Sequence, residues 1–350
     1  MKTIEVNASN HYEVRIGREM LSDVGRALAE LSKPCKICVL TDATVDGLYG
    51  QACLNSLRDA GFDAVNYVIP HGEASKNGQN YLAFLNFLAE NQFSRSDMLA
   101  ALGGGVVGDL CGFTAATYLR GVKYVQIPTT MLAMVDSSVG GKTAIDLDAG
   151  KNLCGAFYPP SMVLAGYDSL LTLPENVLCD GMAEVIKYGV IRDADLFAHL
   201  AQRGLAFDRE YVISRSVEIK RDIVEEDEFD LGIRQLLNFG HTVGHGIEKL
   251  SQYAIPHGSA VAAGMAIITR ASAKRGICTA DCADRLDAML KAFHLPTAVE
   301  YDAHSLAEAM LSDKKRRANT ITLILPKSIG EAVLYDMHTA DFEAFIAEGM

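Results

Sequence analysis

Residues 238–250 read NFGHTVGHGIEKL, and His241, His245 and Glu248 stand at i, i+4 and i+7, a spacing that places all three on one face of a helix. Two imidazoles and a carboxylate are a donor set for a divalent cation at a catalytic site, where a fourth position stays open for substrate. A metalloprotease is excluded, because Thr242 occupies the place its catalytic glutamate needs. Two further donors compete. His257 precedes a helix pattern whose N-cap reads as Ser259, and Glu184 lies in another helical pattern with Lys187 one turn on. Spacing alone does not choose among these groups.

A second kind of chemistry is suggested at residues 103–108, GGGVVG, which fit G-x-G-x-x-G between a strand pattern and a helix pattern opening at Asp109. Glycines there let the backbone approach a pyrophosphate held by amides at the helix start. A standard dinucleotide fold places an acid about twenty residues later for the ribose, but that region is QIPTTML. Acids occur earlier instead, at Asp42 in VLTD and at Glu73 in HGEASK, so a nucleotide would need a differently wired sheet. Residues 117–155 are rich in Gly, Ser and Thr, with Arg120, Lys142 and Lys151 at intervals, the composition of backbone nests that receive phosphate. SVGGKT ends like a phosphate-binding P-loop, yet Asp136 stands where its first glycine belongs, and that reading is rejected.

These candidates must be positioned by a chain of 350 residues, long enough for two domains. Up to about residue 165, KICVLTD, AVNYVIP, DMLAALGGG and YVQIPTT read as strands alternating with helical patterns at 47–60 and in YLAFLNFLAEN. Beyond 168 the pattern is almost wholly helical until TITLILP and EAVLYDM, two strand-like runs joined through a Lys-Ser-Ile-Gly turn. The expectation is an α/β nucleotide-binding domain with a parallel sheet at 1–167, then a mainly helical metal- and substrate-binding domain at 168–350, closely packed and leaving a cleft.

The composition, 49% apolar and 22% charged, is that of a globular protein. A net charge of −12 argues against nucleic acid or an anionic membrane as partner, so an anionic ligand needs a local cluster of Lys and Arg. The amino terminus carries no secretory pattern, and VAAGMAIIT, the longest apolar run, is far short of a bilayer span; the expected location is the cytoplasm. Eight scattered cysteines, including the pair Cys35 and Cys38, read as reduced thiols.

GGGVVGDLCGF, RGVKYVQIPTTMLAMVDSSVGGKT, GKNLCGAFYPP, GMAEVIKYG, RQLLNFGHTVGHGIE and HGSAVAAGM, in that order over nearly the whole chain, resemble the 3-dehydroquinate synthase family, sugar-phosphate cyclases of the shikimate pathway. The resemblance implies a dehydroquinate synthase-like fold and one divalent metal, zinc or cobalt, held by Glu184, His241 and His257. His245 is left to move protons, and Glu248 lies behind the ligands or at the surface. It implies further catalytic roles for Lys187, Lys220, Arg234 and Asn238. Substrate contacts fall to Arg120, Asp136, Lys142, Asn152 and Lys314.

NAD is implied as the second cofactor. Its adenosine end maps to Asp42 and to His71, Gly72, Glu73, Ala74, Ser75 and Lys76, and its pyrophosphate to Gly104, Gly105, Val106, Val107, Gly108 and Asp109. Thr129, Thr130, Lys142 and Lys151, with Ser169, Leu170, Leu171 and Thr172, map to the remainder. The implied substrate is a phosphorylated keto sugar acid, 3-deoxy-D-arabino-heptulosonate 7-phosphate, and the implied assembly is a homodimer. NAD would take and return a hydride around loss of phosphate, so the nicotinamide is recycled. Ser259 departs from the glutamate common in the family, Ala144 and Asp146 depart from Gly-Ile-Asn, and DKKRRAN lacks a frequent glycine. The neighbouring readings are sister cyclases of the valiolone or inosose type and a metal-dependent polyol or glycerol-phosphate dehydrogenase.

Overall fold

The computed structural model of the chain describes residues 1–311 and 319–350. Two compact units emerge, Met1–Leu173 with Arg209–Glu228, and Pro174–Asp208 with Phe229–Met350. The division therefore differs from a single cut at 167/168, because the helix Arg209–Glu226 packs with the first unit. Glutamates of this helix and of the residues just after it explain this. Lys2 Nζ lies 2.5 Å from Glu218, the Asn7 amide donates to Glu225 at 2.6 Å, and the Ser9 amide and hydroxyl donate to Glu228 at 2.8 and 2.6 Å.

The first unit is built on a seven-stranded sheet of β1 (Lys2–Asn7), β2 (His11–Gly17), β3 (Lys36–Asp42), β4 (Asp63–Ile69), β5 (Met98–Gly103), β6 (Lys123–Pro128) and β9 (Met162–Gly166), in the order β1-β2-β9-β6-β5-β3-β4. All neighbours are parallel except the edge pair β1 and β2. Strand alternation sends Ile37, Val39, Ala100 and Leu102 into one core with the helices Val24–Leu31 and Gln51–Asp59. Cys38, Leu40, Leu99 and Ala101 enter another with the helices Gly78–Glu90 and Gly105–Thr117. Burial on both faces is why these strands read as unbroken apolar runs, each large side chain contributing roughly 1.5–3 kcal/mol.

From β3 the chain passes to β4 on one side and later to β5 on the other, so the strand order reverses between β3 and β5. Ligands of open α/β sheets bind outside the carboxyl ends of strands at such a point. The ends that flank it carry Asp42 and the run Gly103–Gly105. The phosphate-friendly stretch folds in part as an antiparallel hairpin of β7 (Lys142–Leu147) and β8 (Gly150–Phe157).

The second unit surrounds the helix His257–Lys274, whose residues from Ala260 to Ile268 are all buried. The helices Glu175–Ile191, His241–Leu250, Ala280–Ala292 and Phe342–Gly349 pack on it. Close approach is achieved by glycine: a Cβ on Gly264 would stand 2.2 Å from the Gly240 carbonyl oxygen, and one on Gly244 would stand 3.1 Å from the Val261 backbone. The hairpin of β10 (Thr320–Ser328) and β11 (Glu331–His338) follows the expected turn. All eight cysteines are unpaired. Among the described residues no helix is long and apolar enough to cross a membrane.

Candidate active site

In the second unit the helix His241–Leu250 starts abruptly at His241, because Gly240 adopts a left-handed φ of +81° that ends the preceding turn Ile233–Asn238. The other helix starts at His257 after Pro256, not after Ser259; Ser259 is its third residue. Both histidines are therefore first residues of helices held together at the glycine contact. Glu184 faces them from the helix Glu175–Ile191 and is wholly buried.

The donor atoms converge. His241 Nε2 lies 3.5 Å and His257 Nε2 3.7 Å from Glu184 Oε1, and one ligand atom from each residue falls within 4.8 Å of the other two. Tetrahedral bonds of about 2.0–2.2 Å require donor separations of roughly 3.3–3.6 Å, and the two distances from Glu184 to the histidines already match them closely. The remaining ring nitrogens are engaged as metal-ligating imidazoles require: His241 Nδ1 donates to the Phe239 carbonyl at 3.2 Å, and His257 Nδ1 lies 3.5 Å from Glu248 Oε1. Glu248, from the trio nominated by spacing, is thus a buried partner of His257. Among the described residues Glu184, His241 and His257 are the group able to hold a metal.

Charge in the cluster is unevenly placed. Burial pushes His241 down to about 3 against the pull of Glu184, which keeps it neutral and able to coordinate. Burial also disfavours charge on His257, but hydrogen bonds to Glu184 and Glu248 carry it up to about 10, so metal binding there must release a proton. Lys187, one turn after Glu184, is 1% exposed and ion-paired with it. His245 is exposed, its ring centre 5.6 Å from that of His241 and 6.4 Å from that of His257. Arg234, the largest fully buried side chain, and half-buried Asn238 lie on the turn before His241.

The first unit gathers most of the remaining candidates. Asp42 accepts from the Thr44 and Val45 amides at 2.9 and 3.2 Å and lies 3.4 Å from His71 Nδ1. Gly72, at φ +106°, leads into the tight turn Glu73–Ser75, where the Ser75 hydroxyl donates to Pro70. The helix after the glycine run opens at Gly105, four residues before the expected Asp109, so the amides at its start belong to Gly105, Val106 and Val107. Asp109 instead turns its carboxylate to Lys76 at 3.2 Å. Lys76 also donates to Asn152 at 2.8 Å.

Thr129 and Ser169 are buried neighbours, the Ser169 hydroxyl reaching the Thr129 carbonyl at 3.5 Å, and the Thr130 hydroxyl accepts from the Ala133 amide at 3.2 Å. Leu170 is buried, Leu171 is exposed, and Thr172 bonds to Tyr49. Lys220, read from sequence into the helical domain, belongs to the first unit, where it donates to the carbonyl and carboxylate of Asp136 at 2.7 and 2.8 Å. Arg120 and Lys142 are exposed and Lys151 is half-buried. Arg120 sits in a turn where Leu119, Arg120 and Gly121 all have positive φ. Lys314 lies outside the described residues. The sequence reading passed over Asp180, although Asp180, Glu184 and Lys187 fall at i, i+4 and i+7, a readable signal of one helix face.

Two solved structures share this architecture. One is 2-epi-5-epi-valiolone synthase from Streptomyces hygroscopicus subsp. jinggangensis, with NAD+ and Zn2+ bound: TM-score 0.89, 26% identity, covering 99% of this chain and 98% of that one. The other is 2-deoxy-scyllo-inosose synthase complexed with carbaglucose-6-phosphate, NAD+ and Co2+: TM-score 0.89, 22% identity, covering 100% of both. By its fold the chain falls in the class of these synthases. Residues 66–180 match the 3-dehydroquinate synthase N-terminal model and residues 181–316 the C-terminal one. A 3-dehydroquinate synthase from Streptococcus suis is 41% identical over 98% of this chain and 99% of its own length. The chain belongs to the 3-dehydroquinate synthase family.

Proposed function

We infer that the chain converts 3-deoxy-D-arabino-heptulosonate 7-phosphate to 3-dehydroquinate and inorganic phosphate, as a phosphate-eliminating carbon–oxygen lyase of the shikimate pathway that serves aromatic amino-acid biosynthesis. The observation that carries the reading is the convergence of Glu184, His241 and His257 within 4.8 Å, in a chain matched from end to end by 3-dehydroquinate synthase. When bound, zinc or cobalt supplies Lewis acidity toward substrate hydroxyls and NAD accepts and returns a hydride, leaving no net redox change.

The chain's own groups supply the rest. Glu184, His241 and His257 hold the metal, with Glu248 and the Phe239 carbonyl orienting the imidazoles. His245, exposed one turn beyond His241, moves a proton between substrate and solvent. Lys187 balances the Glu184 charge and presents an ammonium group beside the ligands. Arg234, Asn238 and Lys220, with Arg120, Lys142, Asn152 and Lys314, bind the carboxylate and phosphate, for which bidentate Arg and point-charge Lys are suited. The amides of Gly105–Val107 receive the pyrophosphate of the dinucleotide, with Asp42 and the turn at Glu73 toward its adenosine. A homodimer in the cytoplasm is the proposed setting.

Two results test this reading. Supplied with catalytic NAD and zinc or cobalt, the protein is expected to release phosphate with no lasting rise in absorbance at 340 nm; steady accumulation of NADH would point to a dehydrogenase. Preference for sedoheptulose 7-phosphate or glucose 6-phosphate would identify a sister cyclase instead. His245→Ala is expected to bind metal as the parent does while turnover falls about 10²–10⁴-fold, the usual contribution of a positioned proton-transfer group. Undiminished turnover in that variant removes His245 from the chemistry.

A further inference from the structure

The helix His257–Lys274 begins after Pro256, a cap with no side-chain oxygen to accept from its first amides. The acceptor comes from another helix. Asp180 Oδ1 accepts from the Ser259 amide at 2.7 Å and from the Ser259 hydroxyl at 2.9 Å, while Oδ2 accepts from the Gly258 amide at 3.0 Å. A carboxylate is well placed there, facing the positive end of an eighteen-residue helix. The approach is close: a Cβ on Gly258 would stand 1.9 Å from the Asp180 carbonyl oxygen, so at this residue only glycine lets the two backbones meet.

The two residues gripped by Asp180 directly follow His257, and Asp180 itself stands one turn before Glu184 on the same helix face. One carboxylate thus ties the backbone of one metal ligand to the helix that carries another. Glu248 fixes the imidazole of His257 from the side, but nothing in that contact fixes where the helix begins. We propose that Asp180 is a positioning residue of the metal centre, setting the distance between His257 and Glu184 by capping the histidine's helix in trans. The inference rests on the metal reading given above. Loss of groups that orient metal ligands typically lowers affinity 10–100-fold, and that is the effect assigned to Asp180.

The test is titration of the metal-free full-length protein with Co2+, followed by its visible absorption, and with Zn2+ in competition with a chromophoric chelator. Asp180→Asn is compared with the parent and with Asp193→Ala. Asp193 accepts from the Asp195 and Leu196 amides at 3.0 and 2.9 Å on the helix Ala194–Arg203, which carries none of the three ligands. It reports what loss of a helix cap alone does. Asp180→Asn is expected to bind both ions about 10–100-fold more weakly with an altered cobalt spectrum, and Asp193→Ala to bind as the parent does at a lowered Tm. Parent-like affinity and spectrum in Asp180→Asn, or equal weakening in Asp193→Ala, overturns the proposal. If Asp180→Asn does not fold, Ser259→Ala decides, a cobalt affinity about threefold weaker supporting the proposal and an unchanged one overturning it. A parent protein that takes up neither ion instead overturns the metal reading, and this inference with it.

Discussion

Replacement of His241 by alanine is expected to give a folded protein that retains little zinc or cobalt and whose kcat/KM is lower by about 10⁴-fold, the scale of several kcal/mol of transition-state stabilisation. The substitution leaves two donors, Glu184 and His257, where three now converge. It spares the fold, because alanine suits the first turn of a helix and the left-handed turn at Gly240 that sets the helix start is untouched. Metal analysis after dialysis, circular dichroism and a phosphate-release assay together check the prediction. A fully metallated, active His241→Ala protein would remove this histidine from the site.

Lys76→Met is expected to destabilise the first unit by about 2–3 kcal/mol near neutral pH, below the 3–5 typical of a broken buried ion pair because Glu73 is 40% exposed. Lys76 is itself 5% exposed, and its ammonium lies 2.9 Å from Glu73, 3.2 Å from Asp109 and 3.8 Å from Asp146. Without it three carboxylates face one another. The pH dependence follows from Asp109, which burial holds up at about 6 even with Lys76 beside it. A folded-state value above the unfolded one means that ionisation costs stability, a cost absent below about 4 that develops as pH rises through 6. Removing the lysine enlarges that cost, so the deficit of Lys76→Met grows with pH across this window and fades toward pH 4. Urea unfolding at pH 4.5 and 7.5 measures it, and an equal deficit at both would count against the carboxylate account.

The strands were legible because the sheet is buried on both faces, which leaves runs such as KICVLTD and DMLAALG with almost no polar interruption. Spacing left the early acid at Asp42 and the glycine run apart and only family resemblance joined them, because it is the sheet order that brings β3 and β5 side by side although they lie far apart in the chain. The donor cluster was half legible. Helical spacing groups His241 with His245 and Glu248, but ligand geometry depends on which helices meet: His241 meets His257 through the glycine contact at Gly240 and Gly264, and Glu184 meets it through the close approach of Gly258 to Asp180. Resemblance to a family supplied that choice where periodicity could not.

The remaining differences have similar causes. The helix start at Gly105 instead of Asp109 follows from Gly104 already being extended, at ψ −170°, a feature of backbone geometry with no side-chain signal. The hairpin at 142–157 is hidden by its glycines and by its exposed Leu153 and Phe157, which break the alternation of a half-buried strand. Partnership of the helix Arg209–Glu226 with β1 and β2 was invisible, since an amphipathic stripe says that something is covered without saying what.

That helix has a consequence for how the polypeptide acquires its structure on the ribosome. The chain crosses between units three times, near residues 173, 208 and 228, so the amino-terminal unit is incomplete until the segment ending at Glu228 has been synthesised. A nascent chain stopped near residue 173 exposes the edge that Glu218, Glu225 and Glu228 later secure. The two units accordingly cannot be exchanged as independent cassettes by a single recombination event, and any split version of this protein must keep residues 209–228 with the amino-terminal piece.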